Sequence, residues 1–547
     1  MCWPGPSSLL IRVPFGLFCL RSNQDTINRN GMLRHFGTLV LLAGPALSVP
    51  TLRYQHNTER SWPQSIAAQV HDQTWPDFAN VTARWSTYSA PTFTEVFLPE
   101  SAEDLSTALA YLSTTNRQWL AQSGGHGYSP TLGSIQDAVQ INMRNFRYVS
   151  VNEDGTATVG TGTRFNEMVW AVGDAGREIT VGNCPCVGAL GATLGGGLGR
   201  LSGLHGLTSD SLLSANLVLW NGTQVKASAD TNPDLFWGIR GAGQNFGIIY
   251  EATYQTYEQT NNGMQYTSDY MFDRANLSSI INITNDLLAV PGGLDARLAI
   301  MLTISYDVEA ERVRAIFMLL GVDLELTLPQ PLIILNLVYA GPEEEAQKYS
   351  GLYRPYSSVF AEQVVPWTNL SSVALFGTAE GGCDTNGPVN QYAVMARNLD
   401  QDVFIDMVDS FSEFAQNNPQ ASSTSAILVE TFGQQGIEAY PDDFSAFPHR
   451  GAFHNAIALS MGYTDEIANV PGDEWAREWR ARLAKPKVSG YKDFHVYQNY
   501  ANDDEPLSAM YGAGWRQKRL TALKNAYDPQ GRFNGYHAIP SVLKNWS

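Results

Sequence analysis

The chain has 547 residues, 44% hydrophobic and 16% charged, enough to bury large cores and more than a single core ordinarily supports. Lys and Arg number 35 against 53 Asp and Glu, a net charge of −18 that repels phosphate backbones and anionic bilayers. Nucleic acid and membrane surfaces are excluded as partners on that ground, and no apolar run in the body of the chain reaches the roughly 18 to 20 residues that span a bilayer.

In chain order, Met32-Leu33-Arg34-His35, the apolar run Phe36–Leu47 and the small residues Ala46 and Ser48 follow the order of a secretory signal. We read Met32 as the true start in preference to targeting by Leu9–Leu20, so residues 1–50 are expected to be leader and signal, the signal within 32–50, and the protein to be secreted. N-x-[ST] sequons at Asn80, Asn221, Asn276, Asn282, Asn369 and Asn545 fit that route, although a chain of this length yields some by chance. Beyond the leader cysteines Cys2 and Cys19, only Cys184, Cys186 and Cys383 remain, too few for a disulfide scaffold and not at zinc-site spacing.

Ser101 opens a predicted helix, with Asp104 three residues on and Leu105, Ala108, Leu109 and Leu112 at helical spacing. A strand over 117–122 runs into "SGGHGYS" (123–129), where paired glycines present one imidazole. Strands are predicted at 138–142, 148–152 and 156–160, and a helix at 165–175. Residues 182–206 hold nine of the 48 glycines, a density that suits a loop meant to approach a ligand closely. "LVLWNGTQV" reads as a hairpin turning at Asn221-Gly222. After about Asn261 glycine thins, and strands at 299–306 and 332–339 with a helix at 403–417 suggest a second unit. The segment Gly321–Gln330 fits neither pattern and is expected to be an insertion or a gene-model artefact, whereas the tail, with a helix at 515–527, is expected to return to the first unit. Signatures of Rossmann, P-loop and nucleophile-elbow chemistry are lacking.

"SGGHGYS", "GNCPCVGALGATLGGGLGRLSGLHGLTSD", "NPDLFWGIRGAGQNFGI", "AFPHR", "YQNY" and "YDPQGRFN", in this order, resemble the berberine-bridge-enzyme-like flavin oxidases of the vanillyl-alcohol-oxidase, or PCMH-type, FAD fold. The likeness runs from about residue 60 to 540 and is similar to the fungal secreted branch. It implies an α+β fold: an FAD-binding PCMH-type domain of two α/β subdomains (51–260), a substrate domain with an antiparallel sheet covered by helices (261–490), and a C-terminal segment returning to the FAD domain (491–547).

The same resemblance implies FAD bound covalently through His126, and through Cys184 as a second link. Cys186 and Cys383 are then left to pair or to stay free. Ser123, Gly124, Gly125, Gly127, Val187, Gly188, Gly191, Gly196, Gly197, Asp210 and Asn499 are implied as further cofactor contacts. An acidic protein must hold a pyrophosphate with backbone N–H groups, which a glycine-dense loop provides. Tyr500 is implied as the base, with Tyr497 as a substrate or flavin contact and Glu430 as the alternative base; His449-Arg450 is expected to supply Tyr500 with a compensating neighbour. One departure is Ala192, where many relatives carry histidine. Val187 stands where the family admits oxygen, so the expected activity is a monomeric oxidase of a small secondary metabolite, reducing O2 to H2O2. A sugar oxidase, a flavin dehydrogenase and a silent binding glycoprotein are the alternatives.

Overall fold

The computed structural model describes residues 61–306, 331–383, 387–422, 424–464 and 469–546. The leader and signal, Cys2, Cys19 and Gly321–Gln330 lie outside the described residues.

The Ser101 side chain accepts a hydrogen bond from the backbone N–H of Asp104 at 3.1 Å and so starts the helix Ala102–Ser113. Its buried stripe of Leu105, Ala108, Leu109 and Leu112 packs on a four-stranded sheet ordered Val70–Asp72, Phe93–Phe97, Ala138–Asn142, Trp119–Gln122. The last two pairings are parallel, and Trp119–Gln122 delivers the chain into the histidine loop. A second, antiparallel sheet orders Val149–Val151, Thr156–Gly160, Ile248–Gln255, Leu212–Val218 and Gln224–Ser228. The hairpin at Asn221-Gly222 forms as its turn residues require. Helices Phe165–Asp174 and Pro233–Ala242 share this sheet's core with Leu520 and Leu523 of the helix Trp515–Tyr527 and with Ile539 and Trp546. The tail is thus packed into the core of the second sheet.

The third sheet is wholly antiparallel, with seven strands ordered Ser357–Pro366, Met264–Phe272, Leu332–Tyr339, Leu298–Ser305, Ala426–Phe432, Asn455–Gly462 and Val389–Ala396. Alternate residues such as Ile300, Leu302, Leu335, Val429 and Ile457 meet the helices Leu277–Leu288, Gln401–Asn417 and Asn469–Leu483 on one face. The residues between them, Ala299, Val338, Phe432 and Ala456, turn to the other face and pack with Leu198, Phe447 and Tyr497. That second face lies against the glycine-dense loop and is where the site is built.

Candidate active site

The histidine loop and the glycine-dense loop touch through their backbones. A Cβ built on Gly124 would lie 2.3 Å from the backbone N of Gly188, and one on Gly188 would lie 2.4 Å from Ser123 Oγ. Only glycine permits this approach. Ser123 Oγ donates to the carbonyl of Thr161 at 2.6 Å, and Arg84 Nη2 donates to the carbonyl of Gly127 at 2.7 Å, so both ends of the histidine loop are tied. Gly125 lies within that loop, while Gly191 is exposed and a Cβ there would meet nothing within 4 Å. Further on, Gly197 adopts φ +82°, and its N–H, with that of Leu198, donates to the Tyr497 hydroxyl at 3.0 and 3.2 Å. Asn499 Nδ2 donates to the Ala192 carbonyl at 2.8 Å and to Tyr497 Oη at 2.7 Å, and its Oδ1 abuts Gly195 beside Gly196.

His126 stacks on Trp85 at 5.7 Å between ring centres. Burial, followed by the charges of Arg164 and Arg84, pushes its pKa down to about 4, so the imidazole is neutral with a free lone pair at neutral pH. Arg164 also faces Cys184, the free thiol. Burial raises that thiol's pKa, while the N–H groups of Cys186 and Val187 oppose the rise. Cys186 and Cys383 form a disulfide with their Cα atoms 5.6 Å apart. Val187 is half-buried against the core of the second sheet, and its carbonyl accepts from Phe165 N at 3.0 Å.

On the opposite wall, direct strand partners form one row across the third sheet: Asp269, Asn336, Met301, Glu430, Ala456 and Met395. Glu430 is only 3% exposed. Its Oε2 accepts the Tyr500 hydroxyl at 2.7 Å and its Oε1 accepts Asn183 Nδ2 at 2.6 Å. The two candidate bases are therefore one hydrogen-bonded pair. Burial raises the pKa of both, and the Tyr500 phenol is lifted further by the neighbouring carboxylate. A phenol in that position stays protonated at neutral pH, whereas a carboxylate brought nearer to the working pH becomes a better proton acceptor. Arg200, 8% exposed, donates from Nη2 to Asn336 Oδ1 at 3.2 Å and lends its charge to both Glu430 and Asp269. A cavity beside the glycine-dense loop is lined by Arg200 and Asn183, with Phe165, Val169, Trp367 and Leu370 as its apolar sides.

Two sequence expectations are corrected. His449-Arg450 does not serve Tyr500: His449 Nε2 is bonded to the Val496 carbonyl at 3.0 Å, and Arg450 forks onto Asp210 at 2.6 and 3.1 Å. Asp210 is consequently not a cofactor contact, because both oxygens are consumed by Arg450 and by the N–H of Leu207 inside the protein. Tyr497, expected as a substrate or flavin contact, has a buried hydroxyl that accepts from Gly197, Leu198 and Asn499 and props the glycine loop, while its ring meets Tyr500 edge-on at 5.0 Å. Sequence reasoning missed Asn183, Arg200 and Arg84. Arg200 carried a signal, a lone charge inside an apolar, glycine-rich run; Asn183 sat unassigned in a recognised motif, and Arg84 had no motif at all.

A family profile described as an FAD binding domain matches residues 94–228. A FAD-linked oxidoreductase of Neurospora crassa is 31% identical over 87% of this chain and 90% of its own length. Another, from Pyricularia oryzae, is 33% identical over 86% and 88%. The chain belongs to the FAD-linked oxidoreductases, with a PCMH-type, berberine-bridge-enzyme-like fold. The fold agrees: a Physcomitrella patens BBE-like protein superposes with TM-score 0.71 at 22% identity, covering 88% of this chain and 99% of the other. A glucooligosaccharide oxidase from Acremonium strictum, whose FAD is described as 6-S-cysteinyl and 8α-N1-histidyl, superposes with TM-score 0.70 at 19% identity, covering 87% and 98%. Like its family, this berberine-bridge-like enzyme is an FAD-dependent oxidoreductase. Its site fits that cofactor, since the buried Asn183 Oδ1 and Arg200 Nε, which line the cavity, have no protein partner and offer it an acceptor and a donor.

Proposed function

We propose that this enzyme is a secreted, monomeric oxidase carrying FAD on both His126 and Cys184, which takes a hydride from a small alcohol, phenol or amine of secondary metabolism and reduces O2 to H2O2. The Tyr500–Glu430 hydrogen bond carries the reading. Bound FAD supplies the two-electron sink that accepts hydride and returns electrons to oxygen. Tyr500 receives the proton of the substrate O–H or N–H while passing its own proton to Glu430 Oε2, so the substrate becomes anionic as its neighbouring C–H is broken and no free phenolate is required. Asn183 and Arg200 hold the carboxylate in place and favour its charge. Gly188, Gly191, Gly196 and the histidine loop would take the pyrophosphate and ring through backbone groups.

The doubly linked FAD of the glucooligosaccharide oxidase supports the two attachments here, because His126 and Cys184 share Arg164 as a neighbour and stand on touching loops. Secretion is supported by the six sequon asparagines, of which all but the half-buried Asn276 are exposed. Among the described residues no helix is long and apolar enough to cross a membrane. An anaerobic metabolite screen scored by bleaching of the flavin band, with peroxide assayed after aeration, tests the reading. Bleaching by phenols or alcohols with stoichiometric peroxide is expected; bleaching only by oligosaccharides moves the substrate class, and absence of peroxide makes the enzyme a dehydrogenase.

A further inference from the structure

The sulfur atoms of Cys184, Cys186 and Cys383 all lie within 4.8 Å of one another, although only Cys186 and Cys383 are bonded. A free thiol at that distance from a disulfide is a candidate attacker. The segment Ala379–Cys383 comes from the substrate side of the molecule and is pinned twice over the attachment loops, by the disulfide and by Trp85 Nε1 donating to the Gly382 carbonyl at 2.7 Å. Trp85 is also the ring stacked on His126, so the pinned segment reaches both attachment residues.

We infer that the three cysteines form a thiol–disulfide exchange site that decides whether Cys184 is available to FAD; the inference rests on the proposed Cys184 link. In the exchange, the Cys184 thiol gives up its proton and its sulfur attacks Cys383 Sγ. The Cys184–Cys383 bond forms, the Cys186–Cys383 bond breaks, and Cys186 leaves as a thiolate that takes up a proton. No electrons are gained or lost, so no outside oxidant is needed. The closed loop lengthens by two residues beyond the 197 of the present pairing, a change without effect on its closure entropy. The two pairings are therefore close in chain entropy, and what separates them is local packing and the flavin. Attack on Cys186 is disfavoured, because it would close a ring between residues separated only by Pro185. In the exchanged form Cys184 cannot bond to FAD, and attachment falls to His126 alone.

Two single variants separate this control from a purely structural disulfide, because both abolish the native bridge. Nonreducing peptide maps of Cys186→Ser incubated with glutathione disulfide, which as oxidant takes the two electrons released when two free thiols join, are expected to show Cys184 joined to Cys383, with flavin on the Cys184 peptide reduced at least tenfold from wild type. In Cys383→Ser, Cys184 has lost its alternative partner and should keep its flavin. Equal loss in both variants, or full flavin on Cys184 in both, overturns the inference. Should either variant fail to be secreted, wild-type enzyme from flavin-starved cells, acid-quenched and alkylated, is expected to contain Cys184–Cys383 peptides, and finding none overturns it equally. Wild-type holoenzyme without flavin on the Cys184 peptide would instead sink the attachment reading, which the sulfur map reports separately.

Discussion

Arg450→Met exposes what the Asp210–Arg450 pair is for. In the folded enzyme Arg450 donates to Asp210 Oδ1 at 2.6 Å, Asp210 Oδ2 at 3.1 Å, the Ile437 carbonyl at 3.0 Å and Ser445 Oγ at 2.8 Å. Both side chains are essentially sealed from solvent, at 4% and 0% exposure. Methionine keeps much of the volume but leaves Asp210 Oδ1 bare and Oδ2 with one backbone donor. Losing two charge-assisted hydrogen bonds at about 1.5 to 3 kcal/mol each gives about 3 to 6 kcal/mol, in line with the about 3 to 5 kcal/mol for stranding one partner of a buried ion pair. Urea unfolding followed by tryptophan fluorescence should show the midpoint falling with the slope unchanged, while acid-stable flavin content stays at the wild-type level. Adding Asp210→Leu to the same chain should recover most of the loss, since no lone charge then remains buried. A cost below about 1 kcal/mol for Arg450→Met, together with flavin loss in Asp210→Asn, would refute the argument and restore Asp210 as a cofactor contact.

Four further outcomes follow from the site. His126→Ala and Cys184→Ala should each retain flavin after acid precipitation while the double variant releases it, as read by mass spectrometry of flavin-bearing peptides. Tyr500→Phe and Glu430→Gln should each slow flavin reduction by roughly 10² to 10⁴, with the double variant hardly worse than either, because the two act as one proton path; additive losses in stopped-flow reduction would separate their roles. Val187→Leu should still accept hydride but reoxidise more slowly in aerated buffer, and an unchanged rate after photoreduction would remove Val187 from the oxygen path. His449 is buried with its pKa lowered to about 3, so the unfolded chain binds its proton first as pH falls below the ordinary value near 6.5. Stability should therefore drop with falling pH between about 6.5 and 3, and a His449→Gln enzyme should show a shallower decline in its unfolding midpoint over that window.

What the sequence revealed was whatever depends on near neighbours. The cap at Ser101 and the helix Trp515–Tyr527 are set by residues within a few positions, and they form where the spacing predicts. Glu430 was legible as a candidate because an acid interrupts the apolar strand Ala426–Phe432, yet only sheet register shows that its side chain faces Tyr500 rather than solvent. Asp210 misled for the complementary reason. An acid closing a glycine-rich motif looks like a ligand until its partner, 240 positions away, is seen. The pairing of Cys186 with Cys383 was likewise open, since three cysteines in sequence carry no geometry. Tyr497 and Tyr500 share one short motif, and only the three-dimensional arrangement shows one hydroxyl under the glycine loop and the other on the Glu430 carboxylate.

The row Asp269–Asn336–Met301–Glu430–Ala456–Met395 also sets terms for how such an enzyme can be reshaped. Each member occupies a different strand, while chain neighbours such as Tyr270, Leu335, Ile300, Val429, Ile457 and Val394 are committed to the opposite face and its helices. Replacing Met301 or Ala456 with a side chain of similar bulk alters what stands beside the carboxylate without asking the helix-packed layer to adjust. Deleting one residue from any of these strands does the reverse, sending an apolar side chain toward the substrate and a polar one into the core. Divergence in this chemistry should thus accumulate as substitutions along the row, and gains or losses of single residues should be confined to the connections between strands.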